Sequence, residues 1–145
     1  MDALQVVCFV VGPYQCALDI LRVREIIHSS PITPMPGTSP MVEGVVELRG
    51  AYLPVVDLRK RLALDARASG ERYVVAQLAD GARVALIVDR VIDVRRIPQA
   101  QFAPPPALTA SAPPCVLAVA KQGEDTVLLL DLASLVDAEA LTAGL

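Results

Sequence analysis

The sequence predicts an all-β fold of two similar antiparallel barrels packed side by side, with a groove between them and a short C-terminal helix. Three observations carry this. Hydrophobic residues make up 54% of the chain while aromatics are only 3% and tryptophan is absent, so the core must be aliphatic. Much of that core is valine, which suits the pleated, half-buried surface of a sheet. Apolar runs of strand length alternate with turn residues, and the whole order of runs occurs twice.

Taking the elements in order, the first half reads as strands over about residues 4–11, 16–27, 43–48 and 52–56. Gly12-Pro13-Tyr14-Gln15 reads as the first loop, which sets Val11 opposite Cys16 and sends Cys8 and Cys16 to opposite faces. Pro31 to Pro40 form a proline-rich connector, since proline lacks the donor a central ladder needs. Arg49-Gly50 separates two apolar runs as a tight hairpin turn, because glycine tolerates positive φ. Asp57 is placed to cap a short segment, Leu58 to Leu62. Residues 65–71 are small and polar and read as a solvated linker.

The second half follows the same plan, with strands over about 72–79, 83–94, 115–120 and 126–130, and a second connector from Pro98 to Pro114. A helix is expected over about 131–141, capped by Asp131. Ala17 to Ile26 lie over Ala85 to Val94 at one fixed offset, and Val6-Val7 over Val74-Val75 at the same offset. Leu53 to Leu58 lie over Val127 to Leu132 at a slightly larger one. The chain reads as one domain over residues 1–145, built from pseudo-repeated barrels at roughly 4–64 and 71–136. The long second strands are able to bend and serve both sheets, so strand exchange between barrels is part of this reading. Few exposed edges are tolerated, which favours closure.

Duplication sorts structure from function. Arg22 and Arg90, with Glu25 and Asp93, recur in both halves and read as ion pairs within each barrel. Arg49 does not recur: the second hairpin carries Lys121 to Asp125 instead. A long cation at a hairpin tip with no structural counterpart is a candidate contact residue.

Composition excludes several functions. A net charge of −3 and a pI near 5.1 argue against binding a phosphate backbone, and the scarcity of aromatics removes base-stacking platforms. No apolar run is long enough to span a bilayer, and the N-terminus has no signal-like pattern. Cys8, Cys16 and Cys115 lack metal-type spacing and read as buried structural thiols of a reducing compartment. His28, the single histidine, has no nucleophile elbow or oxyanion hole in reach and reads as a surface residue. No phosphate loop, metal cluster or dinucleotide fingerprint is present, so no catalytic residue, metal or cofactor is expected. Arg59-Lys60-Arg61 and Arg95-Arg96 read as solvated faces.

Two blocks resemble a known family. Gly44-Val45-Val46-Glu47-Leu48-Arg49-Gly50 followed by Pro54-Val55-Val56-Asp57-Leu58-Arg59 is similar to the signature of the CheW-like domain of bacterial chemotaxis coupling proteins. Leu18 to Ile26 resembles that family's second block, and the likeness runs from about Gln5 to Val136. The resemblance implies two five-stranded SH3-like barrels and a non-enzymatic adaptor. Its partners would be the cytoplasmic tip of a methyl-accepting chemoreceptor and the regulatory domain of a CheA-type histidine kinase. The receptor tip would lie in the groove between barrels, and the kinase domain would meet the end of one barrel. The protein would then be cytoplasmic, held at the inner membrane through receptor complexes rather than inserted.

By the same resemblance, Val23, Glu25, Gly44, Arg49, Gly50 and Ala85 match positions implicated in partner binding, with Ala85 where the family often has glycine. For Glu25 the resemblance implies contact while duplication implies structure, and both readings stand. Glu47 replaces the usual asparagine and Cys16 a residue commonly aromatic, which bears on partner identity. A specialised pathway such as surface sensing or twitching motility is an alternative to flagellar control. A small ligand-binding barrel is the remote one.

Overall fold

The computed structural model describes residues 2–37, 42–62, 64, 72–105 and 115–136. The chain begins with a hairpin, β1 (Ala3–Val11) and β2 (Tyr14–Asp19), turning at Gly12-Pro13. The turn is tighter than expected. Val11 pairs with Tyr14, and Cys16 lies opposite Phe9 rather than Val11. A shift of two residues preserves the side-chain alternation, so Cys8 and Cys16 still face opposite ways and all three cysteines are free thiols.

The strand expected over 16–27 is broken. The Asp19 carboxylate accepts the Leu21 amide at 3.0 Å and caps a 3₁₀ turn, Ile20–Arg22, before β3 (Val23–His28). Then come β4 (Val42–Leu48), β5 (Ala51–Asp57) and the one-turn helix α1 (Leu58–Arg61). The second half comprises β6 (Arg72–Gln77), β7 (Arg83–Val88), β8 (Arg90–Pro98) and a 3₁₀ turn, Gln99–Gln101. It continues through β9 (Phe102–Ala103), β10 (Val116–Gln122), β11 (Asp125–Leu130) and α2 (Leu132–Leu135). The expected strand 83–94 is likewise split, at Asp89. The linker 65–71, residues 38–41 and 106–114 of the connectors, and the helix beyond Val136 lie outside the described residues.

Both breaks occur where the chain leaves one sheet for the other. One sheet runs β8-β1-β2-β11-β10-β9 and the other β3-β6-β7-β5-β4. Each takes its first hairpin from one half of the chain and its remaining principal strands from the other half. The linker therefore does not mark the boundary between sheets. Each sheet also contains one parallel pair, β2 with β11 and β5 with β7, so pairing is not antiparallel throughout. The two parallel pairs are equivalent: Ala17 lies beside Leu129 as Ala85 lies beside Val55.

The register corrects one step of the repeat. Val7 pairs with Leu18 and Val74 pairs with Leu86, so Val74 rather than Val75 is the counterpart of Val7. The second turn is one residue longer, closed by the Leu78 amide donating to the Ala82 carbonyl at 2.8 Å.

Sheet alternation yields three apolar layers. Val6, Cys8, Ala17 and Ile97 fill one barrel, and Val46, Val55, Tyr73 and Ala85 the other. Phe9, Leu18, Leu58, Leu86, Leu130 and Leu135 form the layer that both sheets share. Burying each such side chain contributes about 1.5–3 kcal/mol, so the shared layer welds the barrels together.

Candidate functional site

The β4–β5 hairpin closes as the sequence requires. Leu48 pairs with Ala51, and both turn residues have positive φ, +49° at Arg49 and +84° at Gly50. That combination defines a turn whose twist matches its strands. It projects Arg49 outward, with its side chain 65% exposed.

Arg49 does not end in solvent. Its guanidinium donates to both oxygens of Glu25, one Nη1–Oε1 contact measuring 3.1 Å and the other running from Nη2 to Oε2. Glu25 sits on β3 and Arg49 at the end of β4, the two outer strands of the five-stranded sheet. The fork therefore spans the seam along which that sheet curls. Thr33 makes a β-bridge to Val45 across the same gap. The Arg49 hydrogen bond is the main reason the Glu25 carboxyl is held below its ordinary value. The expected pairing within each repeat is not formed: Glu25 takes Arg49, while Asp93 takes the Arg95 Nε at 2.9 Å.

The remaining sequence candidates divide. Val23 opens β3, half-buried against the shared layer, two residues from Glu25. Gly50 is exposed at the turn, and a Cβ there would touch nothing within 4 Å. Gly44 is buried with φ +151°, at the point where the β4–β5 register shifts. A Cβ there would strike the Thr33 carbonyl oxygen and approach the Ile32 side chain to 2.8 Å. Gly44 thus lets the chain after β3 cross β4, and it offers a partner no side chain. Ala85 is fully buried inside the five-stranded barrel and presents no surface for contact. Val23, Glu25, Arg49 and Gly50 gather around the seam; Ala85 does not.

Some features were not read from sequence. Tyr52 is 67% exposed and lies directly opposite Glu47 on the hairpin that carries Arg49. Strand alternation from the turn was the available signal. The basic run is engaged rather than solvated. The Arg59 Nε donates to Asp89 at 3.0 Å, Lys60 pairs with Glu43 at 2.7 Å, and Arg61 donates to the Ser134 and Leu135 carbonyls, both at 3.0 Å. Asp57 caps α1 through the Arg59 amide at 2.9 Å, and burial pushes its carboxyl up. Asp131 instead accepts the Ser134 hydroxyl at 2.8 Å.

The groove expected between barrels is largely filled by the shared apolar layer. Among the described residues a cleft of about 220 Å³ opens at one margin, by α2 and the first 3₁₀ turn. His28 is exposed at the end of β3. No helix among the described residues is long and apolar enough to cross a membrane.

Comparison with known proteins gives this arrangement a family. The model of the CheW-like domain matches residues 5–140. The chain belongs to the CheW-like family. Among its relatives, the chemotaxis protein CheW of Rhizobium meliloti is 36% identical over 107 residues, covering 73% of this chain and 69% of that protein. CheW of Klebsiella aerogenes is 32% identical over 133 residues, covering 90% and 80%. Protein FrzA of Myxococcus xanthus is 35% identical over 100 residues, covering 68% and 62%. The crystal structure of the scaffolding protein TtCheW from Thermoanaerobacter tengcongensis superposes with a TM-score of 0.84 at 29% identity, over 96% of each chain. The CheW-like fold here is accordingly a pair of SH3-like barrels.

Proposed function

We propose that this chain is a non-enzymatic adaptor that couples methyl-accepting chemoreceptors to a CheA-type histidine kinase. Family membership supports the adaptor class, and the name of the TtCheW structure describes a scaffolding protein. The observation that carries the site is the exposed Arg49 fork on Glu25, which fixes a cation at the seam of one barrel. Recognition of this kind needs no bond to be made or broken.

Arg49, Gly50, Glu25 and Val23 form the proposed docking face, with Tyr52 at its margin. Arginine and tyrosine are both enriched among residues that dominate interface energies. Gly44 acts on this face through backbone shape, and Ala85 through the packing beneath it. The protein works in the cytoplasm, held at the inner membrane by the receptors it binds.

A second reading concerns the pathway. Glu47, two residues before Arg49 in the chain, leaves a specialised chemosensory system such as surface sensing or twitching motility as plausible as flagellar control.

Cosedimentation with the receptor's cytoplasmic fragment and with the kinase regulatory domain tests the proposal. Arg49→Ala is expected to weaken binding to at least one of them by about tenfold or more while the fold is retained. Unchanged affinity for both would remove Arg49 from the site.

A further inference from the structure

The chain passes between the two sheets twice, from Asp19 to Val23 and from Val88 to Arg90, and the two passages are fastened unequally. At the second, the Asp89 amide donates to the Val10 carbonyl at 2.9 Å, and the Asp89 carboxylate accepts the Gly12 amide of the β1–β2 turn at 2.8 Å. The Arg59 Nε and Nη2 reach the same carboxylate from α1 at 3.0 and 2.5 Å. Gly12 joins strands of the six-stranded sheet and α1 follows β5 of the five-stranded one, so this cluster ties barrel to barrel. Arg61 of the same helix adds a second tie, to the Ser134 and Leu135 carbonyls of α2.

At the first passage the internal repeat places Leu21 where Asp89 stands and Ala133 where Arg59 stands, so both members of the ion pair are lost. The Leu21 amide turns to the Asp19 carboxylate within the passage itself, and Asp131 accepts the Ser134 hydroxyl within α2. Among the described residues, neither carboxylate bonds across to the five-stranded sheet. What lies there is the cleft of about 220 Å³, walled by Leu4, Leu18 and Leu129 of the six-stranded sheet and by Leu78 and Ala79 of the β6–β7 turn. Leu18 and Leu78 also belong to the layer the barrels share. Where the cleft enters, these side chains lack partners from the facing barrel, and the layer gives way there most readily.

We propose that the two barrels are hinged, with the Asp89 cluster as the pivot and the shared layer parting first at the cleft beside Asp19 to Arg22. Such an opening leaves the ladders of both sheets intact and exposes side chains between them. The hinge belongs to residues separate from the Arg49–Glu25 seam and does not rest on the adaptor reading. Two thiols make it measurable. Cys115 lies in the shared layer, and its carbonyl accepts the amide of cleft-lining Asp131 at 2.8 Å. Cys8 is enclosed within the six-stranded barrel and is reached only when that barrel unfolds.

Iodoacetamide labelling of the native full chain, followed by mass spectrometry, tests it when each thiol's rate is divided by its rate in urea. Cys115 is expected to react about tenfold or more faster than Cys8 on this scale. The double variant Leu21→Asp with Ala133→Arg grafts the ion pair of the second passage onto the first. It is expected to slow Cys115 by about tenfold or more relative to Cys8. If that variant melts without cooperativity, Ala133→Leu, which fills part of the cleft from an exposed helix position, must slow Cys115 instead. Equal normalised rates at the two thiols of the natural chain, or a folded variant in which Cys115 reacts as fast as before, would each overturn the proposal. The second result would trace Cys115 reactivity to the connector that precedes it rather than to the barrels.

Discussion

Arg49 and Glu25 are 24 residues apart in sequence, and their side chains join the two outer strands of the five-stranded sheet. Each defines the other's geometry: the carboxylate aims the guanidinium, and the guanidinium keeps the carboxylate charged. A surface ion pair of this exposure adds little to stability because water and salt compete for both partners. Its worth lies in orientation.

Arg49→Ala and Glu25→Ala should therefore each weaken partner binding, and the double substitution should cost no more than the worse single one. Independent contacts would instead add. Denaturant midpoints of all three variants should stay within the scatter of surface substitutions. The Glu25 carboxyl is held low, so its contribution is present above the unfolded carboxyl value and disappears as pH falls through the folded one. Binding measured across mildly acidic pH should be flat for this pair.

Gly44 and Gly50 provide a contrast between buried and exposed glycine. Alanine at Gly44 meets both a left-handed φ and a backbone carbonyl that side-chain motion cannot move aside. Gly44→Ala should destabilise the fold by about 2 kcal/mol or more, read from urea unfolding. Gly50→Ala meets open space, and only its φ of +84° is unfavourable, which costs about 1–2 kcal/mol. Equal losses at the two sites would contradict the account of Gly44 as a crossing point.

The hairpin, the Asp57 cap and the repeat were legible in sequence because each rests on local chemistry, whereas Asp131 turned to the Ser134 hydroxyl instead of capping α2 with its side chain. Arg49-Gly50, Asp57 and the block Ala17 to Ile26 over Ala85 to Val94 needed only neighbouring residues to be read. The exchange of strands between sheets was less legible, since the strand-like segment from Cys16 to Ile27 has no glycine or proline to mark a change of sheet. Only Asp19, turning its carboxylate onto the Leu21 amide, marks the break. The Glu25–Arg49 fork was hidden for a related reason: duplication pointed Glu25 toward Arg22, and only the curl of the sheet brings β4 back to β3. Ala85 illustrates the reverse case, a position matched by motif and then enclosed by the parallel pairing with Val55.

Arg59 and Asp89 form the other consequential pair, this one partly sheltered, with side-chain exposures of 15% and 24%. Asp89→Ala takes an acceptor from both the guanidinium and the Gly12 amide. The loss should reach about 2–3 kcal/mol in chemical denaturation. Asp89→Asn keeps an oxygen for Gly12 and should lose less. If the two substitutions cost the same, the amide contact contributes nothing measurable to the turn.

Cys16 lies in the layer shared by the barrels, and burial pushes its thiol up to about 12. The unfolded thiol titrates near 9, so the folded state holds its proton through the interval between the two values. A raised pKa gives stability that is complete below the unfolded value and is lost as pH rises from about 9 toward about 12. Cys16→Ala removes that titration, at the expense of a small cavity whose cost does not vary with pH. The stability difference between natural chain and variant should therefore shrink steadily across the alkaline range. Iodoacetamide at neutral pH should leave Cys16 unmodified in the folded chain and label it in urea. Rapid labelling of the native protein would show that the barrels separate far more readily than their packed layer implies.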